Sequence, residues 1–582
     1  MDYSMRMTKS VYILGISAYF HDSAAALVKN GEIIVAIQEE RLSRKKQDDR
    51  LPVKAINFCL REAGITIEDI DVIAYYEKPF LKLERLLETQ VWQYPYAFLP
   101  FRKTVKNWFK DKLWVPSNIR KATGFKGQIY FTEHHEAHAA ATCYTSPFKE
   151  AVYLTIDGIG EWTSSSFGIF ENNKIQPLSE QTYPHSVGFL YSAFTQYCGF
   201  KVNSGEYKLM GLAPYGKPIF KDMIKEKLVH INDDGSIELE LAYFQFHRGL
   251  KMINKRFEML LGKPARKSEG QITQHYMDVA ASIQEILEEI VLKTASHIKA
   301  ITRQKNLCYG GGVALNCRAN QLLLEKGIFD DIHIYSASGD AGGAIGAALS
   351  AWNHNTERQI INPPPYLGRS FKNEEIIPTL EEFHATYTEL SWDKLYQLVA
   401  KYLAGNKVIG WFQGKDEMGP RALGNRSILA SPLDEEMRIK VNRSIKFREE
   451  FRPFAPVILE DKCNNYFENV RHGNEMLYTY YAKTDEIPAC VHVDKTARVQ
   501  TVTEEQNEKL HSLIQHFEQL TSTPVLINTS FNRRGEPMVH SPEDALRTFV
   551  YSELDYLILN NILLSKNDVL NSTIKEMKYE LD

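Results

Sequence analysis

The chain of 582 residues contains only seven cysteines, and their arrangement narrows the classes of protein that it can represent. Their number is odd and no two form a Cys-x-x-Cys motif, which disfavours a disulfide framework and a zinc finger. No stretch approaches the roughly 20 apolar residues that a membrane helix requires. The first nine residues also lack the apolar centre of a targeting signal. The sequence therefore predicts a cytoplasmic protein with reduced thiols.

A strong excess of charge is also missing. The 69 lysines and arginines are balanced by 73 aspartates and glutamates, which gives a net charge of -4. Proteins that wrap nucleic acid or lie on anionic membranes present broad basic surfaces, so the composition supports neither partner. The length exceeds what one compact core accommodates and predicts two or more domains.

The motif His134-His135-Glu136-Ala137-His138 is the first pattern that suggests chemistry. On a helix, His134 and His138 project from one face and can bind one metal ion. Zinc peptidases place a glutamate directly after the first histidine, and His135 stands there instead, which disfavours a peptidase. The same spacing is also typical of a solvated or hydrogen-bonded helix face, and both interpretations stay open.

A third metal ligand is available at Asp340, which begins a predicted helix of small residues. The alternative is that Asp340 is the N-cap of a tightly packed helix. Two histidines and one carboxylate leave coordination positions open and suit Fe(II) or a similar divalent ion.

A pattern of three short strands occurs twice. Residues 11–16, 23–28 and 32–37 form the first set, with Asn30-Gly31 as a type I′ turn. Residues 151–156, 163–170 and 174–176 form the second, with Asn172-Asn173 as the turn. Ser17 and Asp157 occupy corresponding positions after the first strand of each set. The repeat predicts a duplicated fold in which two similar lobes face each other across a cleft.

A glycine triplet follows the most regular helical pattern of the chain. Apolar residues spaced by three and four between positions 279 and 290 predict a buried helix face. The next apolar stretch ends at Gly310-Gly311-Gly312, where backbone amides can approach a nucleotide closely. A tight turn would require the same glycines, so the triplet alone does not distinguish the two.

The composition changes near Pro363-Pro364-Pro365, where we expect the first domain to end. The expected organisation is a domain over 1–365 with lobes at 10–150 and 151–350, a linker over 366–389 and a second domain over 390–582. Loops of the second domain are unusually basic, and their cations are Arg421, Arg426, Lys446, Arg448, Arg452 and Arg498. Rigid glycines and prolines beside them favour a phosphate site, although scattered cations are also typical of a solvated surface.

Several short segments, in this order, resemble those of the O-carbamoyltransferases of nodulation-factor, cephamycin and aminoglycoside biosynthesis, and the resemblance covers nearly the whole chain. The segments are Phe20-His21-Asp22-Ser23, Glu39-Glu40-Arg41, His134 to His138, Tyr207 to Gly216, Gly419 to Gly424, Lys446-Phe447-Arg448, Phe451 to Pro456 and Asn528-Thr529-Ser530-Phe531-Asn532.

The resemblance implies an α/β fold in two parts. The first is a duplicated actin/sugar-kinase-like domain, similar to the ATP- and metal-binding domain of the tRNA threonylcarbamoylation machinery. The second is a YrdC-like α/β domain, similar to the one that makes threonylcarbamoyl-adenylate. Phe531 stands where that family has the small residue of a Ser-Ala-Asn signature, so this chain departs from the pattern there.

The resemblance also implies which residues bind each substrate. His134, His138 and Asp340 would bind the metal. ATP would be held by Gly310, Gly311, Gly312, Asn316, Ser17 and Asp157. Carbamoyl phosphate would be bound by Arg421, Lys446, Arg452, Arg498, Asn528 and Ser530.

The implied reaction is transfer of a carbamoyl group, through carbamoyl-adenylate, from carbamoyl phosphate and ATP to a hydroxyl of a small-molecule acceptor. His21 is our candidate base for that hydroxyl, since imidazole titrates near neutral pH. The alternative is that His21 only orients Asp22 or the phosphates.

Other functions fit parts of the sequence. A sugar-kinase-like phosphotransferase would use the duplicated lobes but not the basic second domain. A hydrogenase-maturation carbamoyltransferase would have paired Cys-x-x-Cys motifs, which are missing here. A non-catalytic nucleotide-binding scaffold and a tRNA-binding module are further alternatives. The aromatic stretch over 80–114 fits an insertion that shapes the acceptor pocket, buried packing or a homodimer surface.

Overall fold

The computed structural model of the protein describes residues 10–93, 108, 111–249, 251–353, 363–569, 576, 577 and 579. The chain divides into two compact units. Unit 1 comprises Met1–Glu39 and Gln47–Pro363, and unit 2 comprises Glu40–Lys46 and Pro364–Asp582.

Unit 1 contains two five-stranded sheets and a small hairpin in its described part. The strands are β1 (Tyr12–Ser17), β2 (Ala24–Lys29), β3 (Glu32–Gln38), β4 (Val72–Tyr75), β5 (Gln128–Phe131), β6 (Ala151–Ile156), β7 (Thr163–Glu171), β8 (Lys174–Thr182), β9 (Val229–Ile231), β10 (Ile237–Leu239), β11 (Asn306–Gly310) and β12 (Asp331–Ile334).

The two large sheets have the same topology. Their strand orders are β3-β2-β1-β4-β5 and β8-β7-β6-β11-β12. In each, the first three strands of the chain are antiparallel and the last two add in parallel. The predicted duplication is confirmed by this topology. The predicted turns agree as well, because Asn30 and Gly31 have φ of 49° and 89°, both positive as a type I′ turn requires.

The described helices of unit 1 lie between its strands in the sequence or follow the last of them. They are α1 (Glu39–Ser43, which continues into unit 2), α2 (Val53–Glu62), α3 (Pro79–Gln93), α4 (Val115–Thr123), α5 (His134–Thr145), α6 (Val187–Tyr197), α7 (Glu206–Leu212), α8 (Lys221–Lys227), α9 (Lys255–Leu261), α10 (Gln274–Thr302), α11 (Cys317–Glu325) and α12 (Asp340–Asn353). The predicted apolar face of α10 is buried, as the spacing of its residues requires.

Helices α5 and α12 occupy equivalent places in the duplicated topology, each directly after the last strand of its sheet. They lie against each other, and small residues make the close approach possible. A Cβ added to Gly346 of α12 would lie 1.8 Å from the carbonyl oxygen of Ala137 on α5. On another side, α12 approaches β1 so closely that a Cβ on Gly15 would lie 1.9 Å from the oxygen of Ala344. The alanine and glycine content of α12 therefore allows it to pack closely against both α5 and the first sheet.

Unit 2 is built on a mixed sheet of order β13-β22-β21-β14-β15-β20-β16-β19, with a separate β17-β18 hairpin. The strands are β13 (Thr388–Glu389), β14 (Ile409–Phe412), β15 (Arg426–Ala430), β16 (Ala455–Leu459), β17 (Tyr480–Tyr481), β18 (Thr496–Ala497), β19 (Gln500–Val502), β20 (Val525–Ser530), β21 (Tyr556–Leu559) and β22 (Ile562–Ser565). The helices are α13 (Asn373–Glu382), α14 (Trp392–Ala404), α15 (Glu435–Lys440), α16 (Cys463–Tyr466), α17 (Glu504–Thr521) and α18 (Pro542–Val550).

Side chains alternate across this sheet and form a core on each face. Ile428 and Ile527 point into the core that includes α13 and α18. Their neighbours Leu429 and Leu526 point into the opposite core, with α14 and α17. Burial on both faces explains why the central residues of these strands are consecutive apolar residues, without the polar alternation of a half-exposed sheet.

Three further features bear on the sequence predictions. Residues 366–389, expected as a linker, include α13, whose Ile376 and Leu380 are fully buried in unit 2. All seven cysteines are buried free thiols, in agreement with the predicted absence of a disulfide framework. Among the described helices, none combines the length and apolarity needed to cross a bilayer.

Candidate functional site

The histidine motif begins α5 and lies opposite the start of α12. His134 and His138 are one turn apart, and their Nε2 atoms lie 3.1 Å from each other. The Oδ1 atom of Asp340, the first residue of α12, lies 3.7 Å and 3.6 Å from them. The predicted ligands are thus brought together by two equivalent helices. All three side chains are about 2% exposed.

A fourth residue, Asp157, adds a second carboxylate to the cluster. Its Oδ2 atom lies 3.1 Å from His134 Nε2 and 2.9 Å from His138 Nε2. One ligand atom from each of the four residues lies within 4.8 Å of the others. We expected Asp157 to hold ATP, and its geometry makes it a metal ligand candidate as well. The sequence feature that could have indicated this role is the position of Asp157 directly after β6.

The electrostatics of the cluster favour a bound cation. Burial disfavours the ionised form of Asp157, but His134 and His138 outweigh it and hold the pKa of this carboxyl well below its usual range. Burial likewise opposes protonation of His138, whereas Asp157 and Asp340 raise its pKa to about 10. The Oδ2 atom of Asp340 is buried without a hydrogen-bond partner among the described residues. Two imidazoles and two buried carboxylates match the donors that transition metals prefer.

His21 lies at the edge of this cluster, in the loop between β1 and β2. Its Nδ1 atom is 3.1 Å from Asp22 Oδ2, and its Nε2 atom is 3.9 Å from Asp340 Oδ2. Burial opposes its protonation, but Asp340 and Asp22 raise the pKa of His21 to about 9. With a side chain 23% exposed, His21 adjoins the cluster and remains open to a substrate.

His135 points away from this chemistry. Its Nδ1 atom lies 2.8 Å from Thr155 Oγ1 on β6. Burial and the neighbouring histidines lower its pKa to about 3, so it is a neutral structural residue.

The glycine triplet lies beside the metal ligands. Gly311 has φ of 86°, and a Cβ there would lie 2.3 Å from the oxygen of Ile156. A Cβ on Gly312 would lie 2.9 Å from Asp157 Oδ1, and one on Gly310 3.1 Å from the oxygen of His138. The predicted nucleotide-binding glycines therefore lie directly beside the His/Asp cluster.

The other two residues expected to hold ATP have internal roles. Ser17 is the last residue of β1 and is fully buried. The side chain of Asn316 caps α11 by accepting from the backbone N–H of Ala319 at 3.0 Å, and it also exchanges hydrogen bonds with Gln284. Asn316 thus shapes the site by fixing the start of a helix.

Buried charges on and near α3 were not anticipated, and one of them, Lys82, contacts Phe20, which precedes His21. Lys82 Nζ is 2.6 Å from Glu77 and 5.3 Å from the ring centre of Phe20. Arg85 donates to the carbonyl oxygen of Gly160 at 2.7 Å. The expected acceptor segment continues through residues 94–107, 109 and 110, which lie outside the described residues. In the described part of this segment, Trp92 is 59% exposed and its ring contacts that of Trp162.

A second site lies in unit 2 around Lys446. Its Nζ atom donates to the carbonyl oxygens of Ser530 and Asn532 at 2.7 Å and 3.0 Å. It also lies 3.1 Å from Ser530 Oγ and 2.6 Å from Asn532 Oδ1. Burial, followed by Arg448 and Arg452, lowers the pKa of Lys446 well below its usual value. An anion placed there would relieve this concentration of positive charge.

The register of the sheet brings together the segments that carry the other predicted residues of this site. Asn528 on β20 pairs with Ala455, three residues after Arg452. Its Nδ2 atom donates to Gln500 Oε1 at 2.6 Å and to the oxygen of Ala422 at 3.1 Å. Asn528 thereby holds the loop of Arg421 beside β19, which Arg498 precedes by two residues. It acts as a support, and Gln500 is a supporting residue that the sequence did not reveal.

Arg426, one of the predicted basic cluster, is directed inward. It is fully buried, donates to the carbonyl oxygen of Arg369 at 2.9 Å and lies 3.7 Å from the ring centre of Phe412. Through these contacts the guanidinium of Arg426 stabilises the fold of unit 2.

Comparison with known proteins identifies the class of protein to which this fold and these sites belong. Residues 12–349 match the family model of the carbamoyltransferase N-terminus, and residues 400–566 match that of the carbamoyltransferase C-terminus. The chain belongs to the carbamoyltransferase family, and it is a carbamoyltransferase enzyme.

Individual relatives resemble the chain over most of its length. It is 46% identical to an uncharacterized protein of Synechocystis sp., over 95% of this chain and 97% of that protein. It is 35% identical to the nodulation protein NolNO of Sinorhizobium fredii, over 94% of this chain and 80% of that protein. Component A of the (R)-2-hydroxyglutaryl-CoA dehydratase of Acidaminococcus fermentans matches in structure with a TM-score of 0.34 and 14% identity, over 59% of this chain and 98% of that one.

Proposed function

We propose that the protein is an O-carbamoyltransferase that uses carbamoyl phosphate and ATP to carbamoylate a hydroxyl of a small-molecule acceptor. The observation that carries the proposal is the pairing, in one carbamoyltransferase chain, of a His/Asp cluster bordered by glycines with a separate cationic site. A sugar-kinase-like phosphotransferase would require the duplicated lobes, but neither the histidine pair nor the cationic site.

The first step takes place in unit 2, which we propose to be YrdC-like. Arg421, Lys446, Arg452 and Arg498 bind the dianionic phosphate group of carbamoyl phosphate, supported by Asn528 and Ser530. Water hydrolyses the bond between the carbamoyl group and phosphate, which releases inorganic phosphate and carbamate. Carbamate decomposes in water, so it must reach ATP quickly.

The second step takes place in unit 1. An oxygen of carbamate attacks the α-phosphorus of ATP, pyrophosphate leaves, and carbamoyl-adenylate is formed. The backbone at Gly310, Gly311 and Gly312 holds the phosphates, because no side chain there keeps them away. The mixed anhydride activates the carbamoyl carbon for transfer.

In the last step the acceptor oxygen attacks the carbamoyl carbon and AMP leaves with the bonding electron pair. His21 takes the proton of the acceptor hydroxyl at its Nε2 atom, while Asp22 holds Nδ1. A divalent cation such as Fe(II), held by His134, His138, Asp157 and Asp340, would neutralise phosphate charge and weaken the carboxylate field that raises the pKa of His21.

The proposal is tested by incubating the purified protein with ATP, carbamoyl phosphate and a panel of hydroxylated metabolites. We expect AMP, pyrophosphate, inorganic phosphate and a product heavier by one carbamoyl group, detected by mass spectrometry. Formation of ADP with a phosphorylated acceptor would instead indicate a kinase. Omission of carbamoyl phosphate is the matched control, and product formed without it would contradict the proposal.

A further inference from the structure

A short segment from the N-terminal part of the chain, Glu40–Lys46, belongs to unit 2. It carries two buried cations, Arg41 and Arg44, whose side chains are 2% and 9% exposed. The sequence predicted no function for either residue. Arg41 belongs to the segment Glu39-Glu40-Arg41 that carries the family resemblance, and Arg44 follows it closely. Both bind loops that border the cationic site around Lys446.

Arg44 is held by four groups of the loop and helix that follow β20. Its Nη1 atom donates to the oxygen of Met538 at 2.7 Å, and Nη2 donates to the oxygen of Pro537 at 2.9 Å. Nη2 also lies 3.2 Å from Glu536 Oε1, and Nε lies 3.2 Å from Asp544 Oδ1. Burial opposes the charge, yet Asp544 and Glu536 raise the pKa of Arg44. The guanidinium is thus the counter-charge of two largely buried carboxylates.

Glu536 connects this contact to the anion site. Its backbone oxygen accepts from Asn532 Nδ2 at 2.6 Å, and its Oε2 atom accepts from the N–H of Arg533 at 2.9 Å. Asn532 in turn accepts from Lys446 through both its side-chain and its backbone oxygen. A continuous series of hydrogen bonds therefore runs from Arg44 through Glu536 and Asn532 to the ammonium of Lys446.

Arg41 reaches the other border of the site. Its Nη2 atom donates to the oxygen of Gly419 at 2.9 Å. Gly419 has φ of 111°, a conformation that suits glycine, and it is two residues before Arg421. The segment thus contacts both the loop after β20 and the loop that carries Arg421, one of the cations that we assign to carbamoyl phosphate.

We propose that Arg44, together with Arg41, is a positioning residue for carbamoyl phosphate: it fixes the loop after β20 so that Asn532 and Ser530 hold Lys446 toward the anion. The proposal rests on the function proposed above. It makes the cationic site of unit 2 dependent on a segment of the chain that lies more than 300 residues away in sequence.

The contacts predict two separable effects. Loss of the guanidinium frees the loop, so Lys446 binds the dianion less well. It also leaves the carboxylate of Glu536 uncompensated, and this carboxylate raises the pKa of Lys446 against burial, Arg448, Arg452 and Lys46. Neutralising Glu536 also frees the loop, but it removes that carboxylate and shifts the titration of Lys446 the opposite way.

The experiment compares full-length Arg44→Met, Arg44→Lys and Glu536→Gln with the wild type, and uses Arg61→Met as the control. Arg61 lies on α2 with its side chain 63% exposed. Initial rates are measured at varied carbamoyl phosphate over a range of pH. We expect Arg44→Met and Glu536→Gln to raise the KM for carbamoyl phosphate about tenfold or more, as for one lost charge-assisted hydrogen bond. The KM for ATP should not change, and Arg44→Lys should recover part of the loss.

The pH profile separates positioning from a general loss of structure. Protonated Lys446 binds the dianion, so the KM for carbamoyl phosphate rises where Lys446 deprotonates. This alkaline rise should move to higher pH in Arg44→Met and to lower pH in Glu536→Gln. An unchanged KM, unchanged profiles, or an equal rise in the KM for ATP would overturn the proposal. A wild type that consumes no carbamoyl phosphate would overturn the proposed function and this inference together.

Discussion

At the scale of the residue, the chemistry of unit 1 depends on side chains that are costly to bury. Asp157 and Asp340 place two carboxylates beside His138, and they raise the pKa of its imidazole to about 10 against the effect of burial. Two neighbouring carboxylates repel each other unless a positive charge lies between them. We therefore expect the cluster to be less stable without that charge, which a metal ion or protonated His138 can supply.

The metal assignment predicts the effect of removing one ligand. His138→Ala and Asp157→Asn should each lower metal affinity at least about tenfold, because each removes a ligand atom from a cluster of four. Metal content is measured by elemental analysis after dialysis. His135→Gln is the control, since His135 faces Thr155, and it should keep the metal. Full metal content in His138→Ala would contradict the assignment.

The role of His21 predicts a split between the two half-reactions in unit 1. His21→Asn should leave pyrophosphate release without acceptor nearly intact, while carbamoylated product falls about 10²- to 10⁴-fold, the usual contribution of a general base. Pyrophosphate and product are measured in the same reaction. If both fall together, His21 orients the phosphates or Asp22, which was the alternative interpretation.

At the scale of the element, the site depends on two equivalent helices. Duplication of the β3-β2-β1-β4-β5 topology gives each lobe a helix after its last strand, and these are α5 and α12. Their first turns supply His134, His138 and Asp340. The small residues of α12 let the two backbones approach each other, so the spacing of the ligand atoms is decided by a helix contact and not by the metal ligands alone.

The close helix contact predicts that Gly346 tolerates no side chain. In Gly346→Ala the new Cβ would meet the backbone oxygen of Ala137, which cannot turn aside as a side chain can. We expect a loss of about 1–3 kcal/mol in the free energy of unfolding, as for other overpacked cores, together with weaker metal binding. Chemical denaturation and metal titration measure the two effects.

Gly405→Ala is the matched control for this substitution. A Cβ at Gly405 lies 3.4 Å from its nearest neighbour, the oxygen of Lys401, which is ordinary contact. It should leave metal affinity unchanged. Equal metal affinity in Gly346→Ala and the wild type would show that the helix separation does not set the ligand geometry.

At the scale of the whole molecule, the chain carries two units with different chemistry. Unit 1 has the acidic and histidine cluster, and unit 2 has the cationic site around Lys446. The proposed function explains this difference in charge, because it assigns a cation to the first site and an anion to the second. The division into units does not follow the order of the sequence. The chain leaves unit 1 after Glu39, contributes Glu40–Lys46 to unit 2 and returns to unit 1 at Gln47.

The division predicts that defects in unit 2 leave nucleotide binding intact. Arg421→Ala and Arg452→Ala should each raise the KM for carbamoyl phosphate about 10- to 100-fold, since each removes a cation that bonds a charged group. The affinity for ATP, measured by calorimetry, should equal that of the wild type. Loss of ATP affinity in either variant would contradict the assignment of the two substrates to separate units.

Much of the fold could be predicted from local pattern. The strands of both repeats, their Asn-containing turns and the buried face of α10 each depend on residues close together in sequence, so periodicity and turn chemistry reveal them. The linker expected over 366–389 illustrates the limit of this approach. The polar residues between Asn353 and Arg369 and the three prolines suggested a linker, whereas Ile376 and Leu380 of α13 are buried in the core of unit 2.

The sequence by itself determined which residue types were available: His134 and His138 one helical turn apart, a glycine triplet, and cations in rigid loops. Only the tertiary structure decided which of them meet. Asp157 joined the metal cluster, Asn316 became a helix cap, and Arg44 entered unit 2. The physical reason is that residue spacing specifies a helix face or a strand face, while the meeting of distant side chains depends on sheet register and on how closely two backbones can approach.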